Sequence, residues 1–99
     1  MIPGTTPTHT FSLPVDATAV ASLRITYKQG DKIVMQRLKD DCTLSGKKAV
    51  TRLSQEDTLL FQDRTPVRIQ MKVKTAAGDV LISKPKTIPV SEVLEMEVI

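Results

Sequence analysis

The sequence predicts an all-β fold, a small β-sandwich of immunoglobulin-like size with six to eight strands. Two observations carry that expectation. Pro66 to Lys74 alternates apolar and polar residues without a break, and a side-chain period of two marks a strand with one buried and one wet face. Turn signals recur about every ten residues, the spacing of sandwiches and small barrels. One short helical turn is expected near residues 54–61.

Taken in order, residues 1–8 are rich in Pro, Gly and Thr and read as an extended lead-in. Thr8 to Pro14 alternates, with His9, Phe11 and Leu13 on one side, and predicts a first strand ended by Pro14, which cannot donate to a ladder. Asp16 is placed to cap a single helical turn through Ala17-Thr18-Ala19. Ala21–Gln29 and Lys32–Asp40 form a hairpin around Gly30-Asp31, with glycine at the first central position of a type II′ turn. A uniform two-residue-loop register sets Tyr27 opposite Val34, Ile25 opposite Gln36 and Leu23 opposite Leu38. It buries one apolar face at the cost of Gln36.

Cys42-Thr43-Leu44 and Lys48–Leu53, joined by Ser45-Gly46, predict another short pair. Ser54 followed by Asp57 resembles a capping box, and Glu56 and Asp57 suit a first helical turn. This turn is expected to cross between sheets with Leu59, Leu60 or Phe61 under the core. The hairpin from Pro66 to Val90 organises the rest, its Val67/Ile69/Met71/Val73 face turned inward. A Gly78-Asp79 loop pairs Thr75 with Ile82 and Val67 with Val90, but sets Val73 against Lys84 and Met71 against Lys86. That mismatch, with Pro85 and Pro89, predicts a bulge or change of partner near Lys84-Pro85. Residues 91–99 fit two patterns. Leu94, Met96 and Val98 alternate with Glu95 and Glu97 as in a strand, whereas Val90, Val93 and Leu94 have helical spacing.

The 99 residues suffice for one domain, residues 1–99, and not for two. A single cysteine, Cys42, precludes an intramolecular disulfide, and with His9 as the one histidine there are too few soft ligands for a structural zinc site. No basic segment followed by an apolar run opens the chain, so no signal peptide is expected and folding in the cytoplasm of the producing cell is. No run approaches the length needed to span a bilayer.

Catalytic signatures are absent from the pattern. Cys42 neighbours Asp40 and Asp41, which oppose thiolate formation. The carboxylate pairs Asp40/Asp41 and Glu56/Asp57 stand where turns and helix starts favour acids. There is no EF-hand, Gly-rich phosphate loop or dinucleotide fingerprint. No enzyme, cofactor, metal or small-molecule substrate is therefore expected.

Two features point to contact surfaces. Arg68, Lys72, Lys74, Lys84 and Lys86 form a candidate basic face on the main hairpin, with Arg24 and Lys28 as possible additions. A net charge of +3 and few aromatics weigh against nucleic acid, which single-strand binders grip by stacking. Glu92, Glu95 and Glu97 carry the opposite charge, and Leu94, Met96, Val98 and Ile99 are candidate partner contacts. Residues 1–8 are a further candidate.

The opening Met-Ile-Pro-Gly-Thr-Thr-Pro-Thr-His-Thr-Phe, Ile25-Thr26-Tyr27 before Gly30, Asp41-Cys42-Thr43-Leu44, Leu53 to Leu59 and Pro66-Val67-Arg68-Ile69-Gln70 resemble a group of small proteins encoded in phages and prophages of Firmicutes. The resemblance spans nearly the whole chain. It implies a place among virion structural genes, in tail or baseplate, with other phage proteins or self-association as the partner, and it brings no catalytic residues. The alternatives are a host-surface or glycan-binding module and a small regulator that binds nucleic acid or a host protein.

Overall fold

The computed structural model describes residues 1–94 and Val98. Two antiparallel sheets face each other. The smaller has the order β1-β5-β4, from β1 (Thr8–Ser12), β4 (Thr43–Ser45) and β5 (Lys48–Arg52). The larger has the order β3-β2-β6-β7, from β2 (Val20–Gln29), β3 (Lys32–Leu38), β6 (Val67–Thr75) and β7 (Val80–Ile82). β8 (Lys86–Ile88) pairs with β6 further along, beyond β7. The expected all-β sandwich is therefore the fold. α1 (Gln55–Leu59) makes the crossover from the smaller sheet to the larger one.

The core lies between the sheets and is filled mainly by aliphatic side chains. Val67, Ile69, Met71 and Val73 of β6 are all buried, as the alternation requires. They meet Leu23, Ile25 and Tyr27 of β2, then Leu13, Ala49, Leu53 and Phe61 from the other side. Of the three candidates near α1, Phe61 is the one tucked under the core, whereas Leu60 is exposed. The capping box holds: Ser54 Oγ accepts from Asp57 N at 3.1 Å, and Asp57 Oδ2 accepts from Ser54 N at 2.9 Å. Asp16 likewise caps a 3-10 turn at Ala17–Ala19.

Both hairpin registers differ from expectation. Between β2 and β3 the expected pairing holds only for Gln29↔Lys32 and Lys28↔Ile33. An irregularity at Val34 then sets Tyr27 opposite Met35, Ile25 opposite Arg37 and Arg24 opposite Leu38. The extra residue resolves a conflict. It moves Gln36 to the wet face, where its Nε2 donates to Thr26 Oγ1 at 3.3 Å, and turns Arg37 inward to pair with Asp57. In the main hairpin the loop is Ala76-Ala77-Gly78, not Gly78-Asp79. Gly78 N donates to Thr75 O at 3.0 Å, Thr75 N donates to Asp79 O at 2.8 Å, and Gly78 takes φ 94°. This is a three-residue loop with glycine in the left-handed position. It slips the register to Val73↔Leu81 and Lys72↔Ile82, so Val73 and Met71 avoid the lysines.

The interruption expected near Lys84-Pro85 is present. Ser83 is the last residue bonded in register with β7, and its hydroxyl accepts Met71 N at 3.0 Å. Beyond it β8 resumes at Ile69↔Lys86, Arg68↔Thr87 and Val67↔Ile88. The extended lead-in of residues 1–8 is tied into the fold. Pro3 is fully buried, Gly4 N donates to Thr58 Oγ1 at 2.9 Å, and the Met1 ammonium donates to Pro89 O at 2.7 Å.

Candidate interaction surface

Among the described residues, no other layer of the fold covers the outer face of the larger sheet. Arg24 and Lys28 of β2 and Arg68, Lys72 and Lys74 of β6 point outward there. Residues directly opposed in an antiparallel pair share a face, and here Arg24 opposes Lys72 and Lys28 opposes Arg68. Among the described residues none of the five has a carboxylate within ion-pairing distance; the ion pair found is Arg37 with Asp57. Like charges facing each other across strands cost stability, and no strand residue of this sheet is acidic.

The sequence-predicted basic set is only partly assembled. Arg68, Lys72 and Lys74 lie together. Lys84 falls in the connection between β7 and β8. Lys86 opposes Ile69, so it stands at the rim of the core side and not with the others. Arg24 and Lys28 take the places that Lys84 and Lys86 leave.

β7 lies at the open edge of this sheet, and sequence reasoning did not single it out. Its three residues, Val80, Leu81 and Ile82, are aliphatic and exposed, Val80 at 52% and Ile82 at 59%. Val80 and Ile82 lie on the outer face beside Lys74 and Lys72, and Leu81 lies on the core side beside Val73. Hydrogen-bonded pairs alternate along an antiparallel ladder. Thr75/Asp79 and Ser83/Met71 are bonded pairs, so Val73/Leu81 is the bonded pair between them. The N–H and C=O groups of Val80 and Ile82 therefore point away from β6, to the open edge. Behind the edge, a cleft of about 280 Å3 runs between the sheets, lined by Leu13, Pro14, Met71, Val73, Leu81 and Ile82. Edge strands are commonly blunted with charge or proline. β8 is flanked by Pro85 and Pro89, but β7 carries neither device.

Of the predicted apolar contacts, Leu94 is 95% exposed and Val98 is half exposed; Met96 and Ile99 lie outside the described residues. Residues 90–93 are held at the far end of β6: Arg64 N donates to Val90 O at 2.9 Å, Ser91 N to Met1 O at 2.9 Å, and Val93 N to Asp63 Oδ2 at 3.4 Å. Val98 borders a hollow with Thr6, Arg52 and Ser54. Of the described residues here, 90–94 and Val98 do not pair with β7.

The remaining chemistry-bearing residues form an inward polar cluster. His9 Nδ1 and the fully buried Tyr27 hydroxyl share a 2.7 Å hydrogen bond. Burial, aided by the N-terminal ammonium, lowers His9 below its ordinary value, and burial raises Tyr27 well above its own. Burial also pushes the Cys42 thiol up, with Asp41 adding to it, the opposite of nucleophile activation. Burial works to raise Asp57, but the bonds from the Ser54 amide and hydroxyl and the Arg37 guanidinium prevail and lower it. Among the described residues no group of three or more His, Cys, Asp or Glu side chains is placed to hold a metal ion, and no helix is long and apolar enough to cross a membrane.

Set against known protein families, curated proteins and solved structures, the chain matches none of them.

Proposed function

We propose that the protein is a non-enzymatic structural or adaptor component of a phage tail or baseplate, working through protein–protein contacts. The observation that carries the contact role is the short β7 edge, free of charge and proline, with exposed Val80, Leu81 and Ile82 beside a basic sheet face. Exposed backbone donors and acceptors flanked by apolar side chains are what a partner strand needs. The phage setting rests on the sequence resemblance described above.

The surface gives less support to the alternatives. Tyr27 and Phe61 are buried and Phe11 is half-buried, so the basic face offers no aromatic platform for bases or sugar rings. Exposed Val, Leu and Ile at its margin favour a protein partner over a phosphate backbone.

The test is light scattering of the purified protein over a wide concentration range, followed by co-purification with the products of neighbouring genes. A discrete oligomer, or a defined complex with one of those products, is expected. A strict monomer that retains none of them overturns the proposal.

A further inference from the structure

We propose that residues 94–99 of one copy, which follow the stretch anchored at Ser91 and Val93, add as a strand to the β7 edge of a second copy. This deepens the assembly role proposed above and rests on it. The edge asks for a strand with two different faces. Its core side opens on the apolar cleft lined by Leu13, Met71 and Leu81. Its outer side lies beside Lys72 and Lys74. The segment Leu94-Glu95-Met96-Glu97-Val98 alternates in the same sense. Laid against Val80–Ile82, it sends Leu94, Met96 and Val98 into the cleft and turns Glu95 and Glu97 to the outer face. Two strand spacings separate those glutamates from β6, about 10 Å, within reach of extended lysine side chains. The free N–H and C=O groups of Val80 and Ile82 bond the incoming backbone, the strand-addition mode of recognition.

Charge and exposure select this occupant. The outer face carries five cations without a carboxylate partner among the described residues, and residues 92–97 hold three of the chain's eleven acidic side chains. Leu94 has no seat on its own domain, being 95% exposed. The donor segment leaves beside Val67, whereas β7 pairs with residues 72–74, at the other part of β6. Donor and acceptor are thus separate surfaces of one chain. Such a contact is either exchanged between two copies or passed head-to-tail, closing a ring if the rotation permits.

The experiment uses two full-length variants. Leu94→Asp/Met96→Asp spoils the donor and keeps the edge. Ile82→Pro spoils the edge, removing an N–H that points away from β6. Ile82→Lys, on an exposed position, serves if the proline variant does not fold. Folding is checked by circular dichroism and mass by light scattering. The wild type is expected to self-associate and each variant to be monomeric. An equimolar mixture is expected to recover a one-to-one dimer, because one intact donor meets one intact edge. Variants that associate as the wild type does, or a mixture that stays monomeric, overturn the proposal. A wild-type monomer that still binds a neighbouring gene product overturns strand exchange and leaves the assembly role standing. A monomer that binds none removes both.

Discussion

Arg24 on β2 stands directly opposite Lys72 on β6, both on the outer face of the larger sheet. Lys28 opposes Arg68 in the same way. Cross-strand pairs of like charge are destabilising, so this face sacrifices some stability of the lone domain. Lys72→Glu is expected to raise the stability of the monomer by about 0.2–1 kcal/mol, measured by urea denaturation. The same change is expected to weaken self-association, because it places a carboxylate where incoming glutamates must pass. Loss of stability together with unchanged association would contradict both halves.

Asp57 serves two structures at once. It closes the capping box with Ser54 and pairs with Arg37, whose Nε is buried without a partner of its own. Ser54→Ala is expected to cost about 1 kcal/mol, the usual worth of an N-cap. Asp57→Ala is expected to cost more, about 1.5–3 kcal/mol, since it also removes a bond to a charged, largely enclosed guanidinium. Equal costs in equilibrium unfolding would show that the Arg37 pair contributes little.

Phe61 and Leu60 are sequence neighbours with opposite surroundings. Phe61 is 1% exposed and stacks edge-on against Tyr27, with ring centroids 5.7 Å apart. Phe61→Ala is expected to cost about 3–5 kcal/mol, and Leu60→Ala to change stability by about 0.5 kcal/mol or less. Thermal unfolding of the two variants distinguishes them.

The inward polar cluster makes stability depend on pH in two windows. His9 titrates below its ordinary value of 6.5 in the folded chain. The unfolded chain therefore binds the proton first, so stability is full above 6.5 and falls as pH drops through the lowered value. Asp57 is also lowered, below 3.8. Its contribution is present above 3.8 and is lost as pH falls further. His9→Gln is expected to flatten the upper window and leave the lower one. A denaturation series across both windows checks the assignment.

Much of the fold was legible in the sequence because it rests on local rules. The unbroken alternation from Val67 to Val73, the cap at Asp16 and the box at Ser54 each need only a few adjacent residues, and all three are present. The registers were not legible. The irregularity at Val34 turns Arg37 toward Asp57, twenty positions away, and no local pattern reports a partner that distant. The loop at Ala76-Ala77-Gly78 was misplaced, and the register of β7 with it by three residues, because glycine can occupy several positions of a turn. The basic face was legible in β6 alone. Lys86 opposes a core residue in the expected register, Met71, as it opposes Ile69 in the structure, and the place of Arg24 beside Lys72 follows from β2 pairing with β6, a matter of sheet order. The β7 edge could not be read at all, since a strand's place at an edge is a property of sheet order. The one available signal was a short apolar run without Lys, Pro or Asp inside it.

Amide hydrogen exchange at β7, followed as the protein is concentrated, tests strand addition most directly. The Leu81 N–H is bonded within the chain and is expected to exchange slowly throughout. The Val80 and Ile82 N–H groups are expected to exchange fast in dilute solution and to become protected as assembly proceeds. If those two amides stay fast while the mass rises, association uses another surface and the β7 edge is not the junction.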